Sequence, residues 1–291
     1  QPAWLVDILA RKHNVPKEWI FLTAGIDEAI QVFIRGLGKI TAVFLPSYSV
    51  YADAELFGNK LIRIPSLEGN DYQINSAQIP EASLIFLANP NNPAGFTAKE
   101  NVVELIKNNP HCMVVIDEAY SSFAPELSVV DQLNKFPNLV IFRSFSKDYA
   151  MAGNRVGYVI ARPEVISKVK DQTQWANVSY LSVGAAISAL GHQEYFDSVV
   201  KGIISRREDF VKFLTEQGYQ IIPGRINVVL IKFGSAELGT KFFEYLGQNN
   251  IIASHGNGKS NIGLDESFVR IAIGNEEQME YVRGVIQQYS S

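Results

Sequence analysis

Between Ile20 and Ile160 the chain alternates short apolar runs with amphipathic stretches. The runs are Thr41–Leu45, Ser83–Leu87, Met113–Ile116, Leu139–Phe142 and Val156–Ile160. Each is too short for a helix and apolar at consecutive positions, so both of its faces must be covered, as in a buried, largely parallel sheet. The stretches between them carry helix signals. Asp27–Arg35 opens with two acids, which suit a helix N-terminus, and Ala98–Asn108 follows Thr97, read here as its N-cap. The pattern predicts an α/β architecture with helices on both faces of the sheet. Beyond Ile160 the texture changes. Leu181–Leu190 and Ser198–Gln217 predict long helices, Gly218 a stop, Val228–Ile231 and Phe268–Ile273 strands, and Glu276-Glu277 the first turn of a closing helix. This predicts a large domain over residues 1–180 and a smaller α+β domain over 181–291, the boundary falling between 175 and 190.

Composition narrows the function classes. A chain of 291 residues with 47% hydrophobic and 19% charged residues can bury a large core, and a net charge of -4 offers no basic field for nucleic acid or an anionic membrane. The single cysteine, Cys112, cannot form an internal disulfide, which fits a reducing, cytoplasmic setting. No apolar run is long enough to cross a bilayer, and Gln1–Trp4 lacks the basic start of a signal peptide. His13, His111, His192 and His255 have no ligand-like spacing to one another or to Cys112, so no metal site is expected.

Open α/β sheets bind ligands beyond the carboxyl ends of their strands, so the polar residues that follow each apolar run are the candidates. They read Thr23–Glu28, Pro46-Ser47-Tyr48, Asn89–Gly95, Asp117–Tyr120, Ser144–Lys147 and Arg155. Singly, each has a structural explanation: Gly25 a turn, Asn92-Pro93 loop chemistry, Asp117 a helix cap, Lys147 a surface lysine. Their order and spacing together say more. The Asp-x-Ala-Tyr of Asp117–Tyr120, the Ser-x-Ser-Lys of Ser144–Lys147, Arg155 eight residues beyond, and Asn89–Gly95 with Ala94 in place of threonine resemble the fold-type-I pyridoxal-phosphate (PLP) enzymes. Within them the chain is similar to the aminotransferases of the histidinol-phosphate type, over essentially its whole length.

The resemblance implies the aspartate aminotransferase-like fold, PLP as cofactor, an α-amino acid and a 2-oxo acid as substrates, and a homodimer. It implies that Lys147 carries the cofactor and relays the proton, and that Asp117 faces the pyridine nitrogen. Tyr120 and Asn92 would hydrogen-bond the ring hydroxylate, and Tyr48 would stack on the ring. The phosphate would meet the backbone of Gly25 and Ile26, the hydroxyls of Ser144 and Ser146, and the Arg155 fork; Ile26 departs from the small polar residue often found there. Arg270 matches the family's arginine for the substrate carboxylate. Asn177 lies in a family-like segment and is equally well explained as an ordinary loop residue.

The family's arginine for a substrate phosphate is replaced in Asn249–Gly256, where Ser254 or His255 stands in its neighbourhood, and Pro223–Val228 departs from the family pattern too. An unphosphorylated amino acid is therefore the expected substrate, with Arg225 as a conceivable compensating cation. By the resemblance, an arm that covers the substrate and reaches the partner's site would lie upstream of Gln1. Two alternatives stay open: a decarboxylase or lyase of the same fold, and the PLP-binding domain of a transcriptional regulator.

Overall fold

The computed structural model describes residues 2–74, 78–258 and 261–289. Helix α1 (Ala3–His13) leads to β1 (Ile20–Thr23), which turns at once into α2 (Gly25–Leu37). Next, β2 (Ile40–Leu45) runs through β3 (Ser47–Tyr48) to the single turn of α3 (Asp53–Leu56), followed by β4 (Lys60–Pro65) and a hairpin of β5 (Leu67–Glu68) and β6 (Asp71–Tyr72). Then come β7 (Leu84–Ala88), α4 (Lys99–Asn108), β8 (Met113–Asp117), β9 (Leu139–Ser144), β10 (Gly157–Ile160) and α5 (Pro163–Val169). Helices α6 (Tyr180–Gly191) and α7 (Gln193–Glu216) precede β11 (Gln220–Ile222), β12 (Val228–Lys232) and α8 (Ala236–Gln248). The chain closes with β13 (Ser254–His255), β14 (Asn261–Ile262), β15 (Phe268–Ala272) and α9 (Glu276–Gln287).

Seven strands form one sheet in the order β1-β10-β9-β8-β7-β2-β4. From β4 to β9 every pairing is parallel, and β10 is antiparallel to both neighbours, so it alone runs the other way. The pleat sends alternate residues to opposite faces. Val115, Val140, Phe142 and Val159 pack under α2 and α5, whereas Val114, Ile116, Ile141 and Ile160 pack under α1, α4 and α6. The expected α/β sheet, covered on both faces, is thus what forms.

One expected detail does not hold. Thr97 does not cap α4; Ala98 holds that position without a side-chain bond. The Asn89 carboxamide draws the Thr97 amide into its own loop at 3.0 Å, and the Thr97 hydroxyl accepts from Asn101 instead.

A four-stranded sheet, β11-β12-β15-β13, carries a second core with α7, α8 and α9. Helix α6 packs elsewhere: Val183, Ala186 and Ala189 belong to the core of the large sheet. Along α7, Phe196 meets the first core and Phe210 and Leu214 belong to the second. Among the described residues no helix is long and apolar enough to cross a membrane.

The start of α2 depends on a close backbone contact. A Cβ on Gly157 would lie 2.8 Å from the carbonyl carbon of Gly25 and 3.0 Å from the Ile26 nitrogen, and neither atom can swing aside as a side chain would. Gly157→Ala is expected to destabilise the protein by about 2 kcal/mol and lower its thermal midpoint by roughly 5 °C. A melting curve that superimposes on the parent's would show that the contact has slack.

Candidate active site

Because β10 alone is reversed, the carboxyl ends of the other six strands of the large sheet lie on one edge, and the loops leaving them wall a cleft there. Its lining comprises Ile26 and Asp27 after β1, Tyr48 and Tyr51 after β2, Ala88 at the end of β7 with Pro90 and Asn92 beyond it, and Asp117, Ala119 and Tyr120 at β8. Ser144, Ser146, Lys147, Ala152 and Arg155 complete it between β9 and β10. Of the residues to which the resemblance gives a role, Ile26, Tyr48, Asn92, Asp117, Tyr120, Ser144, Ser146, Lys147 and Arg155 line this cleft, Asn177 does not, and Gly25 and Arg270 adjoin it through Arg155 and Asn92.

Asp117 ends β8 with its side chain almost wholly buried. The Tyr51 hydroxyl donates to one carboxylate oxygen at 2.6 Å and the Ala119 amide to the other at 3.0 Å. Burial pushes its pKa up to about 6; the two hydrogen bonds and the charge of Lys147 act against that rise, and Asp27 adds to it. Tyr51, stacked on Phe86 beneath, was not singled out in the sequence. Its only signal is spacing: the short 3₁₀ turn after Tyr48 brings a residue three positions on back over the same wall. Lys147 stands over the Tyr120 ring, its Nζ 5.3 Å from the centroid.

One end of the cleft gathers anion-binding groups. Gly25 begins α2 at φ 79°, and a Cβ there would lie 2.6 Å from Arg155 Nη2, so only glycine lets the guanidinium sit against the helix start. The register Thr23–Gly157–Ser144 lines up three adjacent strands, which brings the α2 N-terminus, Arg155 and the Ser144–Lys147 turn side by side. Arg155 pairs with Asp27 (Nη2–Oδ2 2.7 Å), and the Tyr48 hydroxyl donates to the other Asp27 oxygen at 2.9 Å. Both partners of that ion pair are nearly half exposed, so it contributes at most about 1 kcal/mol and can yield to an incoming anion. Asp27 was read from the sequence as a helix-start acid within the candidate run Thr23–Glu28; its contacts to Arg155 and Tyr48 need the fold.

The other end belongs to the small domain. Arg270 on β15 donates from Nη1 to Asn92 Oδ1 at 2.6 Å and to Asn261 Oδ1 at 3.4 Å, and from Nη2 to Ser254 Oγ at 3.1 Å. Burial lowers its pKa, and the nearby Tyr120 opposes that shift. Ser254 pairs with Arg270 across the ladder and faces the same side. His255 points the other way, stacked on Phe243 with its Nε2 at the Glu266 carbonyl. Of the two residues weighed for that neighbourhood, Ser254 is the one that meets Arg270. Arg225 lies over the Phe96 ring and pairs with Glu126. Asn177 does not reach the cleft: its amide donates to the Leu22 carbonyl and to Glu28, which also accepts from the Ala24 amide before α2.

With this geometry in view, comparison with known proteins is informative. The chain matches the model of the family described as aminotransferase class I and II over residues 5–286. It is 34% identical over 276 residues to the histidinol-phosphate aminotransferase of Geotalea daltonii, covering 93% of this chain and 77% of that protein. Among solved structures, the L-threonine-O-3-phosphate decarboxylase of Porphyromonas gingivalis is 25% identical with a TM-score of 0.84, covering 98% of this chain and 87% of that one. The histidinol-phosphate aminotransferase of Sinorhizobium meliloti, solved with pyridoxal-5'-phosphate, shares the fold at 24% identity and a TM-score of 0.88, covering 99% of this chain and 82% of that one.

The raised pKa of Asp117 has a measurable sign. In the unfolded chain this carboxyl titrates near its ordinary value, so between about pH 4 and 6 the folded state holds the extra proton and stability falls as pH rises. Above pH 6 the penalty is complete. Ligand-free Asp117→Asn protein is therefore expected to be more stable than the parent at pH 8, by about 3 kcal/mol, with the gap closing toward pH 4. Urea denaturation at the two pH values is the measurement, and a gap that widens on acidification would contradict the assignment.

Proposed function

Because this chain belongs to the class I and II aminotransferases, which are enzymes, we propose that its cleft binds pyridoxal 5'-phosphate on Lys147 and moves an amino group between an unphosphorylated α-amino acid and a 2-oxo acid. The observation that carries this reading is the placement of charge: a desolvated carboxylate at Asp117, an amine at Lys147, and guanidinium groups at the two ends.

The residues fit such a cofactor. The bare Cα of Gly25, the α2 N-terminus, the Ser144 and Ser146 hydroxyls and Arg155 make a phosphate-sized cradle, and helix N-termini favour anions. When bound, the cofactor supplies a carbonyl carbon that takes up an amine and a ring that withdraws electrons from the substrate carbon. Asp117 would hold a proton on the ring nitrogen, and the cation formed there would offset the cost of burying the carboxylate. Tyr120 and Asn92 would donate to the ring oxygen, and Tyr48 would cover one ring face. Lys147 Nζ, beside Tyr120, would carry the proton to and from the substrate carbon. Arg270 would take the substrate carboxylate through its planar fork.

Substrate choice follows from what surrounds Arg270. The relative from Geotalea daltonii is named for a phosphorylated substrate, but here the partners of Arg270 among the described residues include the neutral side chains of Asn92, Ser254 and Asn261. Arg225 is held by Glu126 and Phe96. A monoanionic carboxylate suits that setting better than a phosphate dianion. We infer a homodimer as well, supported by exposed apolar side chains at Leu56, Trp175, Tyr180 and Leu181. The single buried cysteine accords with a cytoplasmic setting.

Two measurements test this. Borohydride reduction of the PLP-loaded protein should leave a pyridoxyl mass on Lys147, and that protein should prefer unphosphorylated amino acids to histidinol phosphate in kcat/KM by at least tenfold, a lost charge-assisted hydrogen bond being worth about 1.5–3 kcal/mol. A label on another lysine would overturn the cofactor assignment, a preference for histidinol phosphate the substrate class, and stoichiometric carbon dioxide release would favour the decarboxylase reading. Light scattering at micromolar concentration should give twice the chain mass; a fully active monomer would overturn the dimer.

A further inference from the structure

The two domains are stitched together beside Arg270 by β14, whose Asn261 and Ile262 pair antiparallel with Tyr48 and Ser47 of the large domain. The pairing holds Asn261 only 6% exposed. Its Oδ1 accepts from Arg270 Nη1, which fixes the orientation of the amide, because the flipped form would set N–H against N–H. Among the described residues, the Asn261 Nδ2 is then left buried with no hydrogen-bond partner. Buried donors without an acceptor are uncommon in folded proteins and call for a ligand or a water. This one belongs to a carboxamide already in contact with the guanidinium whose fork would meet a carboxylate. The same guanidinium also meets Asn92, which lines the cleft, and Ser254.

We propose that Asn261 is a substrate-binding residue, its Nδ2 donating to the same carboxylate that Arg270 engages. The inference rests on the reading of Arg270 given above. A carboxylate has about four lone-pair sites, so a guanidinium fork leaves room for a further donor. A neutral amide can fill that place without adding charge, whereas an acid there would occupy the fork itself. Because Asn261 sits opposite Tyr48 on the β3–β14 ladder, the grip on the carboxylate is tied to the cleft wall through backbone rather than through a free loop.

The test uses the PLP-loaded enzyme with an amino acid, the amine that lacks only its carboxylate, and maleate as a non-reacting probe titrated calorimetrically. Asn261→Leu should raise KM for the amino acid and Kd for maleate about tenfold, leave kcat within about threefold, and leave the reaction of the amine unchanged. Values of KM and Kd within twofold of the parent, while Arg270→Lys raises both, would overturn this inference and spare the reading of Arg270. If Arg270→Lys leaves both unchanged, that reading fails and this inference with it. An equal loss for amine and amino acid would mark Asn261 as structural and overturn the proposal. Should Asn261→Leu not fold, the smaller Asn261→Ala removes the same donor without adding charge and must weaken maleate binding at least tenfold; unchanged binding in a folded variant overturns the proposal too.

Discussion

Six strands that run the same way must all deliver their carboxyl ends to one edge of the sheet, and the cleft depends on that constraint. Parallel pairing from β4 to β9 brings the ends of β2, β7, β8 and β9 into one row, and β10, entering from that edge, adds Arg155 beside the start of α2. The contact of Gly157 with the Gly25–Ile26 backbone sets how close Arg155 and the α2 N-terminus can come. The local sequence need only place one polar residue after each apolar run; the sheet does the gathering.

At the end of β8 the pleat separates two consecutive acids with opposite tasks. Asp117 faces the cleft, held by Tyr51, and its carboxylate costs stability once ionised. Glu118 turns to the other side, where it pairs with Arg143 at 2.5 Å and accepts from the Val129 amide and the Ser128 hydroxyl. That pair is buried and fully engaged on its acidic side, so it fixes the loops under the cleft rather than taking part in it. Of these two consecutive acids, the destabilised one is thus the acid that faces the cleft, and perturbed acids of this kind are common at functional sites.

The small domain contributes at the opposite end by reaching across. Register on β13 and β15 decides that Ser254 and not His255 meets Arg270, and the short β3–β14 ladder decides that Asn261 meets it as well. The surroundings of Arg270 are therefore assembled from both sheets, with Arg270 bonded to Asn92 on one side and to Ser254 and Asn261 on the other.

Much of this was legible in the chain itself. Runs apolar at consecutive positions, as in Val114–Ile116 and Val140–Phe142, can be satisfied only in a sheet covered on both faces, so the α/β class and the positions of the candidate residues at strand ends were determined locally. Contacts made across the fold were not. Tyr51 reaching Asp117, Asp27 joining Arg155 to Tyr48, Asn89 drawing Thr97 away from α4, and Asn261 lying against Arg270 each join segments whose pairing no local periodicity encodes. Asn177 shows the converse: a loop asparagine in a suggestive segment is committed to Glu28 and the Leu22 carbonyl because the fold sets it behind the α2 N-terminus. Hydrophobic pattern is a property of neighbours in sequence and survives in the sequence alone, whereas hydrogen-bond partners are chosen by register and direction, which exist only once the sheets have formed.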